Sequence, residues 1–493
     1  MSTAVKTDKQ NELQAQTTQL RRPHAQPTIL AVTPTPSTLV SNTQAELYSR
    51  LILLSLLSKY KDRPTERDAA GEKQSELIKY RRDFLDRLSY LCDIDKFGST
   101  VTAAALQKVP AFNILWLAAN ESFHPGVEEF VHRIIHHVKS VTPESRHDVE
   151  DTMLEDAVKM GMPRLRFYRD KMVDAAIKCR DDLKQYMPDD QALKLRAWLR
   201  KMKKLGMKHL GSKKVVLMIE LIKRCEKESD VYMPYLRERD VSFPGNETNG
   251  NCYADMKHFV ARLRAHVYSV KDVVKASLLT PSLRKIGEIK VEPSSEPRNA
   301  ILPDRYLNPY RTFTRCLAEE IAPMRISVLL KSVTEREASL DFDSASRKHS
   351  QITNTNTFIT RVHAEILLAD LFSRRNFDFV DDDKYIGCSK PACYCCARYF
   401  ESHPKTKFVR PATHNKILLG WRCPEPNQDL DIRGRGKKTI EQIERTMNWT
   451  VRQHLMEKLE EGGEPIEFHW QSTNGSVRDL SILSGRVIPF RGR

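Results

Sequence analysis

At 493 residues, 40% of them hydrophobic and 29% charged, the chain is too long for a single core and too apolar to be disordered throughout, so two or more folded domains are expected. Lysine and arginine number 80 against 64 aspartate and glutamate, a net charge of +16, which favours polyanions such as nucleic acid or an anionic membrane surface. No apolar run reaches the roughly 20 residues of a membrane span, and Met1–Gln10 has no apolar core, so a spanning helix and a secretory leader are not expected and the protein is read as intracellular, cytoplasmic or nuclear.

Residues 1–42, rich in Thr, Gln and Pro, read as a disordered lead-in. From 43 to 291 the pattern is that of a helical domain. Thr43 and Glu46 form a candidate capping box ahead of Leu47, Leu51, Leu54 and Leu57. The run Leu51–Leu57, bounded by Arg50 and Lys59, reads as the buried stripe of that helix. Further helices are predicted over Glu76–Leu91, Val101–Ala119, Val127–Val138, Val149–Met160, Leu165–Tyr186 and Asp255–Leu279, and Pro188, Asp189 and Gly206 bracket another. Arg196–Lys214, with Lys201, Lys203 and Lys204, is the most basic stretch. It is either a phosphate-contacting surface or a solvated helix face, and Trp198 alone makes no stacking platform.

Residues 292–319 hold Pro293, Pro297, Pro303 and Pro309 and read as a linker. Beyond it, over 320–475, strands alternate with helices. Ile326–Leu330 reads as a strand, Asp341–Asn356 as a loop, Thr357–Phe372 as a helix and Tyr385–Gly387 as a strand end. Ala392–Phe400 reads as a helix, Phe408–Val409 and Ile417–Trp421 as strands, Thr439–Leu459 as a long helix and Pro465–Trp470 as a last strand. Residues 476–493 form a tail. The expected class is α+β overall, an all-α region followed by a layered α/β domain.

Of the ten cysteines, Cys92, Cys179, Cys225, Cys252, Cys316 and Cys423 stand singly, as free buried thiols do, whereas Cys388, Cys393, Cys395 and Cys396 cluster. Without a leader, clustering points to metal or catalysis before disulfides. The segment RVHAEILLADLF places His363 and Glu365 at a helix start, where both can face one pocket. An imidazole is a common zinc ligand, and a carboxylate beside it that is not a ligand can move protons. In YIGCSKPACYCCARYF, Cys393 and Cys396 stand one helical turn apart, so both sulfurs can reach one metal at a helix N-terminus that favours thiolate. Three protein ligands leave a position for water, as in catalytic zinc sites. The H-x-E…P-C-x-x-C order is that of zinc deaminases, in which the activated water attacks an amino-bearing ring carbon and the glutamate carries its proton to the leaving amine.

The strings VHAEILLADLF and YIGCSKPACYCCARYF, followed by THNKILLGWRCP, resemble a little-characterised, mostly fungal deaminase family, with bacterial relatives inferred to be toxins, in the cytidine deaminase-like superfamily. The resemblance implies a three-layer α/β/α domain around a mixed sheet, zinc held by His363, Cys393 and Cys396, and Glu365 as proton shuttle. It implies no particular substrate.

In the common pattern Pro directly precedes the first ligand cysteine, whereas here Ala392 stands between Pro391 and Cys393. Cys388 and, less readily, Cys395 therefore stay open as alternative ligands. Ser389, Lys390 and His414 are candidate substrate contacts, and Asn354 and Asn356 weaker ones. The first functional reading is a zinc-dependent hydrolytic deaminase of a nucleobase in a nucleotide or nucleic acid. The alternative is a non-catalytic scaffold or nucleic-acid-binding protein with a structural zinc. The sequence carries no sign of oligomeric state.

Overall fold

The structure, a computed structural model, describes residues 38–57, 65–68, 76–96, 98–185, 189–207, 214–242, 251–306, 357–425 and 435–460. The expected strands Ile326–Leu330 and Pro465–Trp470, the loop Asp341–Asn356 with Asn354 and Asn356, Cys316 and the 476–493 tail lie outside them.

In chain order the elements are β1 (Thr38–Leu39), α1 (Asn42–Leu57), α2 (Glu76–Cys92), β2 (Thr102–Lys108), β3 (Asn113–Ala119), α3 (Val127–Ser140), α4 (Arg146–Met160), α5 (Met162–Asp182) and α6 (Asp190–Gly206). Then come α7 (Lys214–Ser242), α8 (Cys252–Leu279), α9 (Pro281–Arg284), β4 (Ile286–Glu292), β5 (Arg298–Ile301) and β6 (Thr357–Thr360). The last are α10 (Ala364–Arg375), β7 (Gly387–Cys388), α11 (Tyr394–Ser402) and α12 (Arg435–Glu460).

Local chemistry accounts for most boundaries. Asp189 caps α6 by accepting from the Ala192 N–H, and the helix ends at Gly206, as the bracket predicts. The capping box of α1 is two residues earlier than expected: Ser41 Oγ accepts from the Gln44 N–H and Gln44 reaches back to the Ser41 N–H, rather than Thr43 pairing with Glu46. Leu51, Leu53 and Leu54 are buried, so the apolar run is a core stripe. Helix α7 was not anticipated, because Pro234 sits inside it and its apolar residues do not fall on one clear stripe.

The largest correction concerns residues 101–119, expected as a helix and found as the antiparallel pair β2–β3, with Ala104 opposite Leu117 and Leu106 opposite Leu115. Alanine-rich TAAALQK favours helix locally, but its side chains are sorted with a period of two. Ala104, Leu106, Leu115 and Leu117 join the core under α2, α3 and α8. Ala103, Ala105 and Ala118 join the opposite core with α1, α10, α11 and α12. The sheet is thus the middle layer of an α/β/α sandwich, with strand order β4-β3-β2-β7, β3 and β4 parallel and the other pairs antiparallel. The fold class is α+β, with a helical region and a mixed four-stranded sheet.

This sheet draws on both sides of the boundary expected at 292–319. β2, β3 and β4 come from the 43–291 stretch, β7 from the C-terminal one. Helices α3 to α9 form one long excursion between the neighbouring parallel strands β3 and β4. Nor is 292–319 wholly linker: β5 pairs with β1, inside the segment expected to be disordered, and with β6. β6 occupies the start of the expected Thr357–Phe372 helix, which begins only at Ala364. At 408–409 and 417–421 the expected strands are absent; Trp421 makes only a single bridge to Arg361. Helix α2 lies hard against β7, since a Cβ on Gly387 would meet Leu85 Cβ at 2.5 Å. Among the described residues no helix is long and apolar enough to cross a membrane.

Two histidines of α8 make the helical core acid-sensitive. Burial pushes His258 and His266 down to about 3. Both are neutral when folded, so their stabilisation is complete above the unfolded value of about 6.5 and is lost as pH falls from there toward 3. Each is expected to lower stability by about 1.4 kcal/mol per pH unit in that window. Urea midpoints at pH 7 and pH 5 check this; equal midpoints would contradict it.

Candidate metal and catalytic site

Two helix starts build the site. His363 is the N-cap of α10 with an extended backbone and makes no side-chain cap bond, so its ring is left to face α11. The cap is supplied from elsewhere: Asn120, just past β3, accepts from the Ala364 N–H at 2.8 Å and donates to Gly98 O. Sequence pattern gave no warning of Asn120, because its partner lies 244 positions away. Cys393 is the N-cap of α11, its sulfur accepting from the Cys396 N–H. Ala392, the extra residue after Pro391, is absorbed as a bridge, its N–H donating to Ala412 O and its carbonyl accepting from the His414 N–H.

His363 Nδ1 lies 3.6 Å from Cys393 Sγ and 3.3 Å from Cys396 Sγ, and the sulfurs are 3.4 Å apart. A tetrahedral zinc with bonds of about 2.3 Å to sulfur and about 2.0–2.1 Å to nitrogen would separate sulfurs by about 3.8 Å and sulfur from nitrogen by about 3.6 Å. The donor set and its spacing fit zinc to within a few tenths of an ångström. Among the described residues this is the one cluster of three such donors. Cys388 and Cys395 are not in it. Cys388 is instead at the end of β7, its sulfur 4.0 Å from Glu365 Oε2, and Cys395 is buried in the core.

Burial raises the Cys393 thiol, but hydrogen bonds from Cys395 and Cys396 and the neighbouring His363 outweigh it and hold the group well below its usual value. The proximity of Cys393 and Glu365 raises His363 against its burial. Burial raises Glu365, with His363 opposing. A buried carboxyl with a raised pKa, next to a metal-type donor set, is equipped to take up and release a proton.

The other candidates separate. Ser389 is buried and committed: its hydroxyl donates to Asp93 Oδ2 at 3.1 Å and accepts from the Thr102 N–H. It braces the turn, with its one donor already committed to Asp93. Lys390 Nζ lies 3.4 Å from Lys96 O and 3.6 Å from Asp93 Oδ2. His414 is half-buried, its Nδ1 accepting from the Lys416 N–H at 3.0 Å, which leaves the neutral ring's proton on Nε2. Burial lowers it to about 4, and the charges of Cys393 and His363 act on it, which places it beside the site. Trp198, by contrast, is buried, stacked on Tyr232 and bonded to Glu228, while Lys201 pairs with the same Glu228. Cys92, Cys179, Cys225, Cys252 and Cys423 are free and buried, as expected.

Residues 362–425 match the model of a family described as OTT_1508_deam-like deaminase. No curated protein and no solved structure matches the chain. The matched stretch runs through His363, Glu365, Cys393, Cys396 and His414. Residues 362–425 are therefore similar to a deaminase family, which supports a relationship to the cytidine deaminase-like superfamily over that stretch.

Proposed function

We propose that the protein is a zinc-dependent hydrolytic deaminase that replaces the exocyclic amino group of a nucleobase, in a nucleotide or nucleic acid, by a carbonyl. The carrying observation is a buried carboxyl, Glu365, beside the His363–Cys393–Cys396 donor set, inside the stretch that matches a deaminase family.

His363, Cys393 and Cys396 would hold the metal. Bound there with a position left open, zinc supplies Lewis-acid activation of water at neutral pH. Glu365 takes one proton from the attacking water and delivers it to the ring nitrogen, then takes the remaining hydroxyl proton and delivers it to the departing amine, so that a carbonyl and ammonia result and the carboxylate is regenerated. Burial supports this cycle by raising the carboxyl's proton affinity above that of an ordinary glutamate. Cys388 Sγ lies 4.0 Å from Glu365 Oε2 and so flanks the carboxyl. His414, with Nδ1 engaged by the Lys416 N–H, keeps an Nε2–H donor for a substrate group. The donor set of three among the described residues favours this reading over a structural zinc, which takes four.

The test is a panel of cytosine and adenine nucleosides, nucleotides and single strands assayed for ammonia. Removing metal with a chelator is expected to abolish release, and zinc to restore it. Release that persists in metal-free protein would rule the proposal out.

A further inference from the structure

We propose that the outer edge of β4 binds a second copy of this chain, β4 against β4, antiparallel about a two-fold axis at Ile289. The two sheets then run on as one. This surface lies away from the zinc site, and the inference does not rest on the deaminase reading.

β4 ends the sheet on the side opposite β7. Its inner edge is laddered to β3, and among the described residues no strand or loop pairs with its outer edge. Such an edge offers a row of N–H and C=O groups to a strand that fits. Helix α3 flanks it: His132, Ile135, His136 and Lys139 enclose, with residues 286–289, a groove of about 160 Å³. Apolar surface shows along the same edge. Val291 is 38% exposed although its ladder partner Leu117 is buried. Phe112 is 37% exposed and covers Gly287, where a Cβ would meet its ring at 2.7 Å.

Charge selects the occupant. Glu288 and Lys290 are half-exposed on one face of β4, with Lys290 Nζ 3.2 Å from Glu288 Oε1. In an antiparallel pair centred on Ile289, Glu288 stands opposite Lys290 of the partner subunit, and Lys290 opposite the partner's Glu288. The four charges then alternate in sign. A slip of two residues sets glutamate against glutamate or lysine against lysine. A slip of one breaks the match of faces. The same axis sets Val291 of the partner subunit against Gly287, beside the exposed Phe112.

Helix α3 repeats the pattern. Its C-terminal end lies by the start of β4, where Arg284 Nη2 donates to Val141 O at 2.8 Å. Glu128 and Lys139, both exposed, are at opposite ends of the helix. The axis at Ile289 therefore sends Glu128 toward Lys139 of the partner subunit. One surface thus carries its own complement, as an isologous dimer requires. A wholly acidic or wholly basic peptide would meet its own sign at every second charge. Pairing also leaves the zinc site open, since Cys388, which flanks it, is on β7, three strand spacings or about 14 Å across the sheet.

Sedimentation velocity of the full-length protein at micromolar concentration is expected to show a species of twice the chain mass. Lys290→Glu and Glu288→Lys each turn two attractive pairs into two repulsive ones. Each is expected to weaken the dimer roughly tenfold or more. Mixed in equal amounts, the two variants are expected to form a heterodimer close to wild-type strength, because both opposed pairs are again of unlike sign. The double variant Glu288→Lys/Lys290→Glu is expected to dimerise with itself, which keeps the test decisive if a single variant fails to fold. A wild type that stays monomeric overturns the proposal. A dimer that both single variants leave at wild-type strength overturns the placement on β4. Weakened single variants with recovery in neither the mixture nor the double variant overturn the pairing about Ile289.

Discussion

Glu365→Ala is expected to reduce ammonia release by about a thousandfold or more, at the upper part of the range for general acid–base groups, while zinc content stays at the wild-type level. The reasoning is one of position. Glu365 is two residues from His363 and lies in the first turn of α10, but it is not among the three donors of the cluster. Removing it leaves both sulfurs and the imidazole in place. Burial raises its pKa, so a proton can be both accepted and returned, and alanine can do neither. Metal analysis and ammonia assays on the same preparation decide the matter. Loss of zinc together with activity would make Glu365 a ligand or a folding element, and retained activity would remove it from the mechanism.

Asp93→Ala carries the second large expectation, a destabilisation of about 3–5 kcal/mol, the cost of leaving a buried charge uncompensated. The Asp93 side chain is fully buried, just past α2. It accepts from Thr100 Oγ1 at 2.7 Å and Ser389 Oγ at 3.1 Å, and lies 3.5 Å from Arg164 Nη1 and 3.6 Å from Lys390 Nζ. Arg164 is as deeply buried, on α5, flanked by Tyr90 and Tyr168. One carboxylate thus ties the helical excursion to the turn that presents Cys393. Its loss strands the guanidinium and frees the turn together. Ser389→Ala removes the bond to Asp93 and the acceptor of the Thr102 N–H but leaves the Arg164 pair intact, and is expected to cost about 1–2 kcal/mol. Urea denaturation of both variants measures the difference, and a cost for Asp93→Ala no larger than for Ser389→Ala would show that the Arg164 pair is not what the carboxylate sustains.

Several features were legible because their causes are local. Asp189 and Gly206 bound α6 through cap chemistry that needs no distant partner. The amphipathic stripes of α2, α3 and α8 are written in apolar spacing. His363, Cys393 and Cys396 could be singled out because ligand spacing at a helix start is itself a local pattern. Failures fell where partners are remote. The alanines of β2 favour helix until a sheet neighbour takes them, and that neighbour on one side is β7, nearly 300 residues away. Local spacing likewise gives no sign that the Ser389 hydroxyl donates to a buried carboxylate on a distant segment.

The sequence by itself determined the donor types, their order and the helix starts that carry them, because these depend on residues within a few positions of one another. Tertiary structure decided which sulfurs face the histidine, since the extra residue Ala392 is absorbed only by pairing with Ala412 and His414. It also decided that the sheet beneath the site is shared between the N-terminal and C-terminal stretches, because strand pairing is made by contact in space and leaves no mark in local spacing.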